Sequence, residues 1–368
     1  MDIIGSILFT IHSLGFSGTF TTLPEFFSWL RKFPLLAQPK TLSFNGTDSY
    51  SNGSLRLTEF TPFMSGKFGV VYLVYRECES DAGYIFLKTS PSHPSSLLLE
   101  GLLQSIAHTI LRVYGFPRAI PQVLEIVKHP DYGIVLGLER NPGAQLLADY
   151  FKSQVQWGSP NIHNDYVVFS VLAQIATYLA ILESTIGMNH RDLTGTNVLM
   201  VLPSQPVHQT VTLGSYQWTI HAAQQAILID FGFACIGKPD GQMILSAGEL
   251  LPEIDFCPKK GRDLFLFCAS MWNVAVFRES LTAVGKGLFE TWLQDTSTTN
   301  WAKWLATSSQ TNLMGMYLLT NAGHFRSNSS DPLQVLADIS KTYPTLLQFQ
   351  TVKRPDTPIP TFVPSGPI

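Results

Sequence analysis

The 368-residue sequence is poor in charge: 14% of its residues are Asp, Glu, Lys or Arg, against 45% hydrophobic. That balance excludes a disordered chain, which lacks the apolar material to offset the entropy of ordering. Basic charge is not in excess either, with 24 Lys and Arg against 27 Asp and Glu, so a dominant nucleic-acid surface is not expected. Cysteine is scarce. Cys78, Cys235, Cys257 and Cys268 form no CxxC pair, and their scatter speaks against a zinc site or a disulfide framework. Buried free thiols in a reducing compartment are the expectation. No apolar run reaches the ~20 residues that span a bilayer. The most apolar internal stretch, Leu264 to Phe277, is interrupted by Ser270 and Asn273 and reads as a buried helix. The apolar start, residues 1–20, has no positive n-region and carries Asp2 and His12, so a secretion signal is not expected. These absences point to an intracellular protein, in cytoplasm or nucleus, with no membrane span. In that setting the triplets Asn45-Gly46-Thr47 and Asn52-Gly53-Ser54, which fit the glycosylation pattern, carry no meaning.

What is present is a clear order of patterns. Residues 1–55 read as an N-terminal extension, with a short aromatic helix over 25–31 and a Ser/Asn/Gly-rich linker over 43–54. β-Branched and aromatic runs at 69–75 and 84–88 predict a hairpin. Leu98, Leu102, Ile106 and Ile110 predict a helix over 95–114, and strands return at 122–128 and 133–138. Beyond Pro142 the periodicity is helical, led by Val167, Val171, Ile175, Tyr178 and Leu182 in a long helix ending at Gly187. Short strands at 198–202 and 226–229 bracket a polar insert that reads as a lengthened hairpin. Residues 262–343 are mostly helical, the tail is proline-rich, and no internal repeat is visible. The order predicts an α+β chain: a small antiparallel-sheet lobe with one main helix over 56–140, a larger, mainly α lobe over 141–345, and a tail over 346–368.

Three segments carry chemistry. His190-Arg191-Asp192-Leu193 is followed five residues after Asp192 by Asn197, and the apolar strand 227–229 ends in Asp230-Phe231-Gly232. Upstream, Phe63-Met64-Ser65-Gly66-Lys67-Phe68-Gly69-Val70-Val71 places two glycines between strand patterns, and Lys88 lies on the next strand. Moving a γ-phosphoryl group needs donors over the phosphates, a cation to hold them, oxygen ligands for a metal, and a carboxylate to take the acceptor's proton. The chain holds a candidate for each, in one order along the sequence.

On these residues the chain resembles the protein-kinase superfamily from about Phe60 to about Tyr343. The resemblance implies a bilobal kinase fold, ATP and magnesium as cofactors, and a protein substrate phosphorylated on Ser or Thr. It implies Asp192 as catalytic base, with Asn197 and Asp230 holding the metal and His190 packing behind the metal-binding turn. Lys88 would position the phosphates, paired with Glu100, the only acidic residue between Ser90 and Glu125. Gly66, Gly69 and Val71 would cover the phosphates and base. Leu138 would stand behind the adenine, with backbone groups of Glu139 and Asn141 on its edge. Asp263 would brace the catalytic loop through its backbone.

The pattern also departs from the family. Met64 replaces the first loop glycine, Phe86 stands where a small residue is usual, and Thr194 replaces a lysine that contacts the γ-phosphate. Leu251-Pro252-Glu253 is a degenerate version of the Ala-Pro-Glu signature. Arg191 would answer a phosphorylated activation loop, for which Ser246 is the only hydroxyl between Gly237 and Gly261; the alternative is a loop placed constitutively, with Glu249 or Glu253 near Arg191. The texture is similar to kinases of large DNA viruses and, more distantly, to haspin-like kinases, implying a viral protein acting in a host cell. Two other readings stay open: a small-molecule phosphotransferase, and a nucleotide-binding pseudokinase that serves as an interaction module.

Overall fold

The computed structural model describes residues 2–352 apart from 46–48, 53, 67–68, 80, 91–93, 204, 249–255, 296, 298, 308–309 and 322–324. The Leu251-Pro252-Glu253 triplet, Lys67, Phe68, Glu249, parts of both glycosylation triplets and the tail from residue 353 lie outside the described residues. The chain is α+β, with eleven α-helices among the described residues and both antiparallel and parallel strand pairs. It divides into two compact units. The first comprises 1–142 with 230–232 and 244–248, and the second comprises 143–229, 233–243 and 249–368.

The first unit is built on an eight-stranded sheet. Its order is Lys40–Thr41, Val123–His129, Gly133–Leu138, Asp81–Thr89, Gly69–Cys78, Arg56–Gly66, Tyr50–Ser51 and Ser43–Phe44. The hairpin register sets Val71 opposite Lys88 and Val70 opposite Thr89. At Gly69 the backbone is in a left-handed conformation (φ +157°), and a Cβ would overlap the Thr89 carbonyl oxygen at 1.8 Å, so only glycine fits this approach. The helix Pro94–Val113 packs on the sheet with Leu98, Leu102, Ile106 and Ile110 all buried, as their spacing predicts.

Residues 1–55, set apart in the sequence as extension and linker, belong to this same unit. They form helices Ile3–Ser13 and Leu23–Leu36 and three two-residue strands of the sheet. The short aromatic helix expected over 25–31 is therefore longer. Thr22 caps it by accepting from the Glu25 N–H, and Phe26, Leu30 and Phe33 face inward. The physical reason for the inclusion is burial. Leu42 and Leu55 join Leu57, Val74, Ile85, Leu87, Val127 and Val135 in one apolar cluster, which takes that sheet surface out of water.

The second unit is organised around the helix Ile162–Ile186, capped by Asn161 and stopped at Gly187 as expected. Gly187 has φ +61°, and a Cβ there would meet the Gly237 carbonyl oxygen at 2.3 Å. Among the described residues this is the one helix long and apolar enough to cross a membrane by length and composition, and nearly all of it is buried within the unit. The insert is a hairpin, Val207–Leu213 with Tyr216–Ala222, and Leu347–Thr351 adds a third strand. Trp218 anchors it, buried, its indole N–H donating to Thr177 Oγ1 at 2.9 Å. The helix expected over 264–277 is two: Arg262–Trp272 ends at Asn273, Val274 is extended, and Ala275–Ser280 follows.

The cysteine expectation needs correction. Cys235 and Cys257 form a disulfide, both fully buried, while Cys78 and Cys268 take part in no disulfide. The chain brings them together through Gly187. The Gly237 N–H donates to the Gly187 carbonyl, and Cys257 Sγ lies 3.7 Å from the same oxygen.

Candidate functional site

In the first unit three groups predicted from sequence converge. Lys88 is fixed by its strand register, between Val71 on one neighbour and Leu136 on the other. Its Nζ donates to Glu100 Oε1 at 2.7 Å and to Asp230 Oδ1 at 2.8 Å. Glu100 is 3% exposed and Asp230 is open to solvent at 46%. Burial works against the charged ammonium, but the Glu100 and Asp230 carboxylates outweigh it and hold the Lys88 pKa above its ordinary value. Asp230 has φ +65°, a conformation that costs a non-glycine residue energy and that surrounding structure must impose. At Gly232 a Cβ would lie 3.3 Å from Asp230 Oδ1 and 3.4 Å from Glu100 Oε2, so the turn after Asp230 has little space for a side chain.

The other predicted nucleotide contacts sit on the same sheet or directly after its strand Gly133–Leu138. Gly66 pairs with Gly69 where the two strands meet, and Met64, at the position of the missing glycine, pairs with Val71 and is exposed. Phe63 and Phe86 are in ring contact at 4.8 Å. Leu138 pairs with Phe86. The Glu139 N–H donates to the Gln122 carbonyl at 2.8 Å. Asn141 is partly exposed. Ser246 also belongs to this unit, its Oγ donating to the Gly248 carbonyl.

In the second unit the 189–197 loop is held from several sides. The Asp263 carboxylate accepts the His190 N–H at 2.7 Å and the Arg191 N–H at 2.8 Å, the backbone brace expected of it. His190 Nε2 lies 2.9 Å from the Ile229 carbonyl, and the Ile229 N–H donates to the Asn197 carbonyl. Arg191 is 1% exposed, has φ +70°, and donates from Nη1 to the Phe233 carbonyl. Asn197 closes a 3-10 turn, and its Nδ2 donates to the Asp192 carbonyl at 2.7 Å and to Asp192 Oδ2 at 3.0 Å. The Asn197 amide thus orients the Asp192 carboxylate and turns its own oxygen, Oδ1, away as an acceptor. Thr194, uncharged, is engaged with Thr196 through their hydroxyls at 2.7 Å.

Sequence reading missed the groups behind this loop. Lys259 is fully buried and donates to the carbonyls of Thr320 (3.3 Å) and Asn321 (2.8 Å). Arg262 donates from Nε to the Thr320 carbonyl and from Nη2 to Asn321 Oδ1. Burial first, then the neighbouring Arg262, Arg326 and Arg191, brings the Lys259 pKa down to about 6. Burial, reinforced by Asp263, holds Glu183 well above the carboxylate range. Burial and the Asp192 charge raise Tyr317, which places that phenol within electrostatic reach of the loop. The signal for the basic pair is in the sequence: Lys259-Lys260-Gly261-Arg262 is a dense basic run in a low-charge chain, directly ahead of Asp263. Tyr317 has no such local mark.

Among the described residues no group of three or more His, Cys, Asp or Glu converges as a metal site. Of the expected magnesium ligands, the Asp230 carboxylate belongs to the first unit and Asn197 Oδ1 to the second. Each is an oxygen donor of the kind a hard cation takes. No family model matches the chain, and no curated protein matches it.

Proposed function

We propose that the chain is an ATP-dependent protein kinase transferring the γ-phosphoryl group to Ser or Thr hydroxyls of protein substrates, its two compact units being the small and large lobes of a kinase fold. The observation that carries the reading is Lys88 Nζ, shared between Glu100 and Asp230, residues 12 and 142 positions away in the chain. Two carboxylates on one lysine suit a cation held ready for phosphate oxygens, since the pair fixes its position and keeps it charged.

In this reading Lys88 binds the α- and β-phosphate oxygens and Glu100 holds it there. Asp192, oriented by Asn197, accepts the proton of the attacking hydroxyl. The acceptor oxygen forms a bond to the γ-phosphorus as the bridge to the β-phosphate breaks, and ADP leaves with that electron pair. Asp230 and Asn197 Oδ1 are the groups that would hold magnesium, which supplies charge neutralisation at the β- and γ-phosphates. Asp263 keeps the loop in register by accepting two of its backbone N–H groups.

The test is phosphoryl transfer from labelled ATP with magnesium to generic protein acceptors, beside Asp192→Ala. Label on protein is expected, and loss of the base lowers the rate about 10²–10⁴-fold. Turnover only with small acceptors identifies a small-molecule phosphotransferase instead. Nucleotide binding without turnover identifies a pseudokinase, the reading that the Phe63–Phe86 ring contact and the exposed Met64 favour.

A further inference from the structure

The helix Pro94–Val113, which carries Glu100, is buried at nearly every position from Leu97 to Leu111. The sheet closes one side: a Cβ on Gly101 would meet Leu136 Cδ1 at 2.7 Å and Ile126 Cδ1 at 2.8 Å, so helix and sheet are in direct apposition beside Glu100. A second side is tied to the 116–122 loop. Gln104 Nε2 donates to the Pro121 carbonyl and His108 Nδ1 lies against the Ile120 carbonyl, both at 2.8 Å. The N-terminal helix Ile3–Ser13 packs along the same helix. Its Ile7 and Ile11 are fully buried, and Thr10 Oγ1 lies 2.8 Å from Thr109 Oγ1. From Thr109 a hydroxyl series climbs the helix. Thr109 Oγ1 donates to the Ser105 carbonyl at 2.8 Å, and Ser105 Oγ donates to the Gly101 carbonyl at 2.7 Å, one residue from Glu100.

We propose that the helix Ile3–Ser13 is a built-in positioning element for Glu100, acting through Ile7, Thr10 and Ile11 on the helix that holds it. Its consequence for turnover rests on the kinase reading; its consequence for the Lys88–Glu100 pair does not. The competing explanation is packing that adds stability and nothing else. An aspartate at Ile7 or Ile11 would place a charge in a fully buried position, and Ile11→Ala would leave a void.

The experiment uses the full chain with Ile7→Asp/Ile11→Asp, Ile11→Ala and Thr10→Val, and with Ile11→Val as the conservative control. The readout is the yield of the Lys88–Glu100 isopeptide formed by a carbodiimide at one fixed pH, relative to the Lys88–Asp230 isopeptide, measured well below each melting temperature together with KM and kcat for ATP. Loosening Glu100 lowers that ratio several-fold and raises KM for ATP about tenfold. Ile11→Val is expected to keep both at wild-type values. A lower melting temperature with an unchanged isopeptide ratio overturns the proposal. If the double variant does not fold, Ile11→Ala and Thr10→Val decide it by the same ratio. A wild type that transfers no phosphate sinks the kinase reading alone, because the isopeptide ratio reports the pair without turnover.

Discussion

At the scale of single residues the candidate site depends on ionisable groups kept where water cannot reach them. Lys259 is the sharpest case. Its folded-state pKa lies near 6, whereas the unfolded chain holds that proton up to an ordinary lysine value of about 10.4. Between those limits the unfolded state binds more protons, so this residue makes stability rise with pH, and below the lower limit it contributes no slope. Glu183 works in the opposite direction, since its raised pKa lets the folded state bind the extra proton. The difference between wild type and Lys259→Met is therefore the readout. Denaturant midpoints taken from about pH 6 to about pH 9 are expected to climb less steeply in the variant. Parallel slopes would show that Lys259 keeps its proton in the folded protein. None of this was legible in the sequence beyond a basic run, because burial arises only when the 310–321 helix delivers the Thr320 and Asn321 carbonyls. Asp192, Asn197, Asp230 and Lys88 were legible because their spacing is local and tied to a turn or a strand.

At the scale of elements, legibility followed the strength of the periodic signal. The helices Pro94–Val113 and Ile162–Ile186 carry apolar residues through many turns, and both form where the pattern places them. The strands Lys40–Thr41, Ser43–Phe44 and Tyr50–Ser51 are two residues each. A period of two cannot show itself over so short a span, so the segment reads as a linker while its Leu42 and Leu55 enter the sheet's apolar cluster. The disulfide escaped for a related reason. Cys235 and Cys257 are 22 positions apart in sequence, and only the fold shows their Cα atoms at 6.4 Å. Closing a loop of that length removes about 3 kcal/mol worth of freedom from the unfolded chain. Cys257→Ser is expected to lower stability by about that amount in denaturant titration, and Cys78→Ser to leave it within about 0.5 kcal/mol. Equal effects of the two substitutions would mean that the bond does not form in solution.

At the scale of the whole molecule the chain is interlaced. It leaves the first unit after Pro142 and returns to it for Asp230–Gly232 and again for Ile244–Gly248. A cut at the first boundary would therefore deprive Lys88 of Asp230. Two compact units, each with its own core, also make a single unfolding transition an expectation to test. Magnesium and ATP at about a hundredfold over Kd should stabilise the folded chain by about 2.7 kcal/mol through mass action. Asp230→Asn is expected to lose most of the magnesium-dependent part of that shift in a thermal titration. A shift that does not depend on magnesium would argue against Asp230 as a metal ligand.

Among the described residues, the non-glycine positions with left-handed backbone are Glu59, Arg191 and Asp230. Two of the three stand in the motifs to which the proposed chemistry is assigned, and at Asp230 glycine would relax the chain. A selection for heat resistance alone would thus favour glycine at the solvent-open Asp230, and that gain would remove a group the proposed reaction uses. The residues most worth keeping are among those the fold itself would most readily replace, so a library screened for melting temperature should also be screened for turnover.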